Sequence, residues 1–403
     1  MTRLHRLLSA AAVCALLAGC SSAGRGSGPT WVPKPSFAGE GQQPGVEPVQ
    51  PQPTLPSGSP GNRTAPPPAS SSSQPDPAVV ASKLTTPDAI AVLPDNTAIV
   101  GERTTGRIVL VQPQPGQAVK TVRTLTGIDP TGGGGLLDLA LSPNYLQDSL
   151  IFAYLTTATD NRVVAFTLTG PVTTVVTGIP RGASDNAGRI AFGGPGQLYI
   201  ATGDAGRAAA AADPAGLAGK VLRVSEIGRP AAGNPVPASA VYARGLHLSA
   251  GLCVVPDSGP VIEVDAAATA GPGAIDEVNL LRGGADYGWP KLLPSSTGPI
   301  AELPAAQRSP GGCAVLNGVL YVTSLDGQSL LAGRLAPRNG TMSVSSLTPS
   351  LQRRYGRLLT VVAAPDGALW LTTSNKDGHG KPTADDERVL RIVPQGGSAT
   401  FPG

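Results

Sequence analysis

Short apolar runs recur along most of this chain, and each run stops at a turn. The first run of each unit reads "AIAVL" (89–93), "LDLAL" (137–141), "RIAFG" (189–193), "GLCVV" (251–255), "GCAVL" (312–316) or "LTVVA" (359–363). The turns are Leu93-Pro94-Asp95-Asn96, Ser142-Pro143-Asn144, Gly194-Pro195-Gly196, Val255-Pro256-Asp257, Leu316-Asn317-Gly318 and Ala364-Pro365-Asp366-Gly367. A second run follows each of them: "TAIVGE", "SLIFAYL", "QLYIAT", "PVIEVD", "VLYVTS" and "ALWLTT". Most units close with a third, such as "GRIVLVQ", "RVVAFTL", "KVLRVS" or "RVLRIVP". Runs of this length, rich in β-branched residues and bounded by Pro, Asp, Asn and Gly, predict antiparallel strands. The turns fall about 50 to 60 residues apart, a period that marks small sheets arrayed around an axis. The predicted fold is therefore all-β, a six-bladed β-propeller. Two stacked β-sandwiches are the rival fold, but they would not produce six similar units. The alanine run Ala208–Ala212 is the one helical candidate.

The N-terminal part departs from this pattern. Arg3, His5 and Arg6 precede an apolar run from Leu7 to Leu17, and Leu17-Ala18-Gly19-Cys20 follows. That order of charged, apolar and small residues predicts a signal peptide over 1–19. Its end resembles a bacterial lipobox, which implies cleavage before Cys20 and lipidation of that residue. Several acyl chains hold a membrane far better than one. Residues 20–80 are crowded with Pro, Ser, Gly and Gln and poor in large apolar side chains, so a disordered linker is expected there. The propeller is expected over 81–403. The localisation that follows is lipid-anchored at the cell membrane, on the extracytoplasmic side.

Charge and cysteine usage narrow the partners. The formal net charge is +3 with no basic cluster, so nucleic acid is not an expected partner. Of four cysteines, Cys14 leaves with the signal peptide and Cys20 takes the lipid. Cys253 and Cys313 remain, an even pair in an oxidising compartment, and read naturally as a disulfide. Two buried free thiols are the alternative.

Several longer stretches are similar to the soluble quinoprotein glucose dehydrogenases, also called glucose/sorbosone dehydrogenases. They are "GGGGLLDLALSPNY" (132–145), "AGRIAFGGPGQLYIATGDAG" (187–206), "DPAGLAGKVLRV" (213–224), "GPGAIDEVNLLRGGADYGWP" (271–290) and "APDGALWLTTSNKDGHG" (364–380). They keep family order and spacing and cover nearly all of the chain after Leu84. The resemblance implies a six-bladed propeller that oxidises the anomeric hydroxyl of sugars. It implies pyrroloquinoline quinone at the channel mouth, against a calcium ion. Gly271 and Pro272 would offer backbone carbonyls to that calcium. Glu277 and Tyr287 would help bind structural calcium, an oxygen-only donor set suited to a hard cation. Alternatively, Asp276-Glu277 and Tyr-Gly-Trp-Pro lock this loop against the adjacent blade.

The chain departs from the family where the chemistry is done. The position of the family's histidine base is Asp185, preceded by Ser184, and Arg189 is the arginine of the Gly-Arg-Ile motif. A Gln or Glu in the family's glycine-rich loop becomes Gly133. The arginine that faces the cofactor's oxygens becomes His247, and the Asn-Pro after it becomes Leu248-Ser249. An aspartate is a weaker base than histidine but is ionised at neutral pH. Histidine lacks the fixed charge and fork of donors of arginine.

Asp185 and His247 are the candidate catalytic residues. Arg189, His247 and Lys376 are candidates for cofactor binding, and Gly271, Pro272, Glu277 and Tyr287 for metal. Asp204 in "TGD" reads as a turn residue, and Lys220 and Arg223 as blade-edge or surface groups.

Two functions fit. One is a membrane-anchored, quinone- and calcium-dependent dehydrogenase of a sugar or polyol. The other is a catalytically degenerate propeller that binds an envelope carbohydrate or an envelope protein.

Overall fold

The computed structural model describes residues 76–394, apart from Pro195, 257–258, 269–274 and 339–340. The expected signal peptide, Cys20 and most of the expected linker lie outside the described residues, as do Gly271 and Pro272. Within them stand six antiparallel sheets, five of four strands and one of five. They arise from residues 87–124, 136–179, 188–244, 248–302, 310–350 and 358–392 with 79–81, here blades 1 to 6.

Each blade begins with its innermost strand. These are Pro87–Val92, Leu136–Leu141, Gly188–Phe192, Leu248–Val254, Pro310–Leu316 and Leu358–Ala363. Each touches the next and the last touches the first, so the axis is ringed by the start of every blade. The β-propeller anticipated from the repeat is the fold observed.

Burial explains why the runs are so continuously apolar. A one-sided sheet alternates apolar and polar residues; a sheet covered on both faces does not. Here an apolar cluster fills each gap between neighbouring blades. Ile108, Leu136 and Ile151 join blades 1 and 2. Tyr154, Leu198 and Leu222 join 2 and 3, and Tyr199, Leu246 and Leu281 join 3 and 4. Leu320 and Val322 meet Val264 and Val278 between 4 and 5. Leu358 and Leu371 meet Tyr321 between 5 and 6. Fully burying one such side chain is worth about 1.5–3 kcal/mol.

Two structural details differ from the sequence reading. First, the propeller starts before residue 81. Val79–Ala81 pairs antiparallel with Val389–Ile392 and becomes the outer strand of blade 6. This short run, "VVA", adjoins the Pro-rich tract, and its partner lies some 300 residues away, so local composition hides it. Second, Lys220 is not a surface group. Its side chain is fully buried, and Nζ donates to the carbonyls of Ala210 (2.7 Å), Ala211 (2.9 Å) and Ala218 (2.7 Å). It thereby ties down the helix Ala208–Ala212 and the loop around it.

The sulfurs of Cys253 and Cys313 are bonded at 2.02 Å. They sit on the innermost strands of blades 4 and 5, so the bridge staples two blades together at the axis.

Candidate functional site

The innermost strands ring the axis, and the loops that lead into them gather at one end of the ring. The loops before the innermost strands of blades 2 and 3 meet there and shape a cavity of about 380 Å³. Its lining includes Asp88, Arg103, Gly133, Asp185, Arg189 and Ser249. A second cavity of about 460 Å³ opens beside it, lined in part by His247, Asp265, Glu277, Tyr287, Trp289 and Glu302.

Arg189 floors the axial cavity. Nε donates to Ala250 O (2.7 Å), Nη1 to Leu137 O (2.8 Å) and Nη2 to Gly311 O (2.8 Å). Nη2 also lies 3.1 Å from Asp88 Oδ1. One guanidinium on blade 3 therefore grips the innermost strands of blades 1, 2, 4 and 5. Asp88 O in turn accepts from Thr360 Oγ1 of blade 6 at 2.7 Å. The fork of donors is spent on the ring itself. Below it, Asp138 is fully buried; burial pushes its carboxyl up to about 6, against the pull of the Arg189 charge and the Ile190 and Leu139 amides.

Asp185 stands on a loop held in an uncommon shape. Its φ is +55°, a left-handed conformation that non-glycine residues adopt at a cost. Asn186 enforces it: Nδ2 donates to Gly132 O and Gly182 O, both at 2.8 Å, while Oδ1 accepts from Gly182 N at 2.9 Å. Gly203 completes the fit. A Cβ there would come within 2.0 Å of the Asp185 carbonyl oxygen, so only glycine allows the approach. The Asp185 side chain accepts from Ser184 Oγ at 2.7 Å.

His247 approaches from the other side. Its backbone N–H donates to Asp265, 2.9 Å from Oδ2, and its ring stacks edge-on to Trp289 at 4.8 Å. Nδ1 lies 2.7 Å from Ala266 O. A carbonyl only accepts, so Nδ1 carries a hydrogen, and Nε2 is the nitrogen left free to meet a ligand.

Asp204 is the residue the sequence reading undervalued. It does cap its turn, since Gly206 N donates to Oδ1 at 2.8 Å. Its other oxygen accepts from Trp289 Nε1 at 2.9 Å. One ligand atom each from Asp185, Asp204 and His247 lies within 4.8 Å of the others. The three come from residues up to 62 apart in sequence, which is why no local motif showed the group.

The remaining candidates are placed as follows. Lys376 does not line either cavity; its Nζ donates to the Asp386 carbonyl and its backbone N–H to Glu387. Glu277 faces Asp265 across paired strands, and burial with the Asp265 charge pushes it up to about 7. Burial and Asp265 also push Glu263 well up. The Tyr287 hydroxyl donates to Leu280 O (2.7 Å) and accepts from Arg282 N (3.2 Å), so backbone groups occupy it.

Does the mouth suit pyrroloquinoline quinone, a tricarboxylate? Its walls carry Asp88 and Asp185, with Asp204 behind. Arg189 is committed, and Arg103, 3.8 Å from Asp88, is the only other cation among the described lining residues. These residues do not fit a bound polyanion. Like charges would face one another with little to compensate them.

The glucose / sorbosone dehydrogenase family profile matches residues 84–312. The chain is 34% identical to the aldose sugar dehydrogenase of Streptomyces coelicolor, solved in its PQQ-bound form, with a TM-score of 0.71. That match covers 78% of this chain and 95% of that one. It is 25% identical to Aldose sugar dehydrogenase YliI of Escherichia coli, over 75% of this chain and 90% of that protein. It is 30% identical to Quinoprotein glucose dehydrogenase B of Acinetobacter calcoaceticus over 54% of this chain, which spans only about half, 52%, of that relative. By profile, by sequence and by fold, the chain belongs to the glucose/sorbosone dehydrogenase family.

Proposed function

We propose that this propeller recognises a sugar or polyol at its axial mouth without the quinone chemistry of its relatives. The observation that carries the reading is the loss of the family's donors at the mouth, where Asp185 stands at the histidine position and His247 at the arginine position. Asp185 and Asp204 flank a space that His247 closes, and all three accept hydrogen bonds from hydroxyl groups. Sugars supply such hydroxyls in quantity; an anionic cofactor supplies none. The strained Asp185 loop and the doubly bonded Asp204 hold their oxygens in place before a ligand arrives, which lowers the ordering cost of binding. Lipidation of Cys20 would hold the module at the extracytoplasmic face of the membrane. Its ligand would then be an envelope carbohydrate, and an envelope protein would be a further partner.

The second reading is a quinone- and calcium-dependent sugar dehydrogenase with Asp185 as base. It is favoured by the PQQ-bound relative from Streptomyces coelicolor. One pair of measurements separates the two. Purified protein is supplied with pyrroloquinoline quinone and calcium, then assayed for dye reduction with a panel of aldoses and polyols. The same panel is titrated calorimetrically without the quinone. Sugar binding with no dye reduction is the expected result. Turnover would overturn the binding reading in favour of the dehydrogenase.

A further inference from the structure

Asp204 is 2% exposed and has no ion-pair partner among the described residues. Asp185, beside it, has none either. Two carboxylates that close, one of them buried, call for a compensating positive charge. An imidazole nitrogen points into the same space. His247 is 9% exposed, its Nδ1 is committed to Ala266, and Nε2 has no hydrogen-bond partner among the described residues. A histidine whose other nitrogen donates to a backbone carbonyl is oriented as metal-binding histidines are.

We propose that Asp185, Asp204 and His247 together bind one divalent first-row transition ion. The class follows from the donor set. One imidazole and two carboxylates suit zinc, manganese, iron(II) or cobalt, whereas calcium prefers six to eight oxygens and little nitrogen. Ligand atoms around such an ion at ~2.1 Å lie roughly 3–3.5 Å apart. The present spacing is within 4.8 Å, so the ligand atoms need to draw together by no more than about 1–2 Å to hold an ion. The second layer of partners is already built. Trp289 and Gly206 hold Asp204, Ser184 holds Asp185 and Ala266 holds His247. Three protein ligands leave open positions, as at sites where a metal takes water or a small oxygen ligand. This site uses the same three side chains as the sugar-binding reading, so a bound ion would take the place of their direct bonds to sugar hydroxyls; the ion is tested without sugar and the sugar without the ion.

The test uses the untagged full chain in detergent, stripped with EDTA and dialysed. Cobalt(II) alone is titrated and followed by calorimetry and by its visible spectrum. One equivalent is expected to bind, and a large excess of calcium should leave it bound. Asp185→Asn and His247→Gln should each weaken binding at least tenfold. His379→Gln, which removes the histidine of the exposed 376–380 loop, should change nothing. Near-ultraviolet circular dichroism confirms that each variant is folded. Should the His247 variant misfold, paramagnetically shifted imidazole protons in the wild-type cobalt form still report nitrogen ligation. The proposal is overturned if wild type takes up no cobalt at micromolar concentrations, if calcium displaces it freely, or if folded Asp185→Asn binds as wild type does. Calorimetry of sugars in EDTA reads the sugar-binding proposal separately, so either result can fail alone.

Discussion

Two charged side chains at the axis carry opposite lessons. Arg189 is a cation committed to the ring: three carbonyls take its donors, and Asp88 stands 3.1 Å away as counter-charge. Lysine offers a compact point charge and cannot reproduce that fork. Arg189→Lys should therefore cost about 1–3 kcal/mol, the range for leaving buried carbonyls without their donors. Urea unfolding followed by fluorescence reads that loss. Asp138 works the other way. Its folded-state pKa, about 6, lies above the ordinary aspartate value near 3.9. The folded state thus binds the proton more tightly than the unfolded state does. Stability from this group is fully present below about pH 4 and is lost as pH rises through 6. Asp138→Asn removes the buried charge and keeps an acceptor for the Ile190 amide. It should unfold at higher urea than wild type at pH 7.5, by about 1–2 kcal/mol, and show no advantage at pH 4. A gain that persists unchanged at pH 4 would contradict this assignment of the charge.

Strands and turns were legible because their causes are local. Asn96, Asn317 and Gly367 take the left-handed backbone that their turns need, at φ +66°, +50° and +80°. Apolar runs marked every innermost strand because both faces of each sheet are covered. What stayed hidden depends on neighbours from other blades. Asp204 read as a turn residue because its turn is local, while its bond to Trp289 spans 85 residues. Lys220 read as a surface group because nothing nearby in sequence shows three carbonyls waiting for it. Asp185 was legible as a departure from the family pattern, but its left-handed backbone comes from Asn186 and a loop of blade 2. The disulfide lies between these cases: two cysteines could be paired by counting, yet only the fold shows that they staple neighbouring innermost strands. Closing a loop of 60 residues removes unfolded-chain entropy, so Cys253→Ser with Cys313→Ser should cost about 4 kcal/mol. Thermal unfolding of the double variant, compared with oxidised wild type, reads it. Equal stability of variant and oxidised wild type would mean the bridge adds nothing to the ring.

A ring has no end until its first and last segments meet, and here they meet in blade 6. Val79–Ala81 supplies the outer strand, while Val389–Ile392, Leu369–Thr373 and Leu358–Ala363 supply the others. The chain therefore closes by pairing residues from its two extremes, Val79 with Leu390 and Ala81 with Val389. Side chains reinforce the latch. Val80, Ala81 and Leu84 sink into the cluster shared by blades 6 and 1, which also holds Trp370. Asp76 accepts from the Tyr355 hydroxyl at 2.9 Å and pairs with Arg354 at 3.2 Å. Removing this strand exposes the edge of Val389–Ile392 and uncovers apolar surface between two blades. Unpaired edges of that kind invite association with other chains. The mouth depends on the closure too, because Thr360 of blade 6 holds Asp88, and Asp88 faces Arg189. A chain beginning at Ser72 should unfold in one cooperative step. A chain beginning at Ser82 should unfold at much lower urea, by several kcal/mol on the usual worth of two buried aliphatic side chains and a strand pairing, and should form oligomers on size exclusion. If the shorter chain matches the longer one in both measurements, the ring is held by its inner strands and the arginine hub alone, and the terminal strand is an ornament of blade 6 instead of its latch.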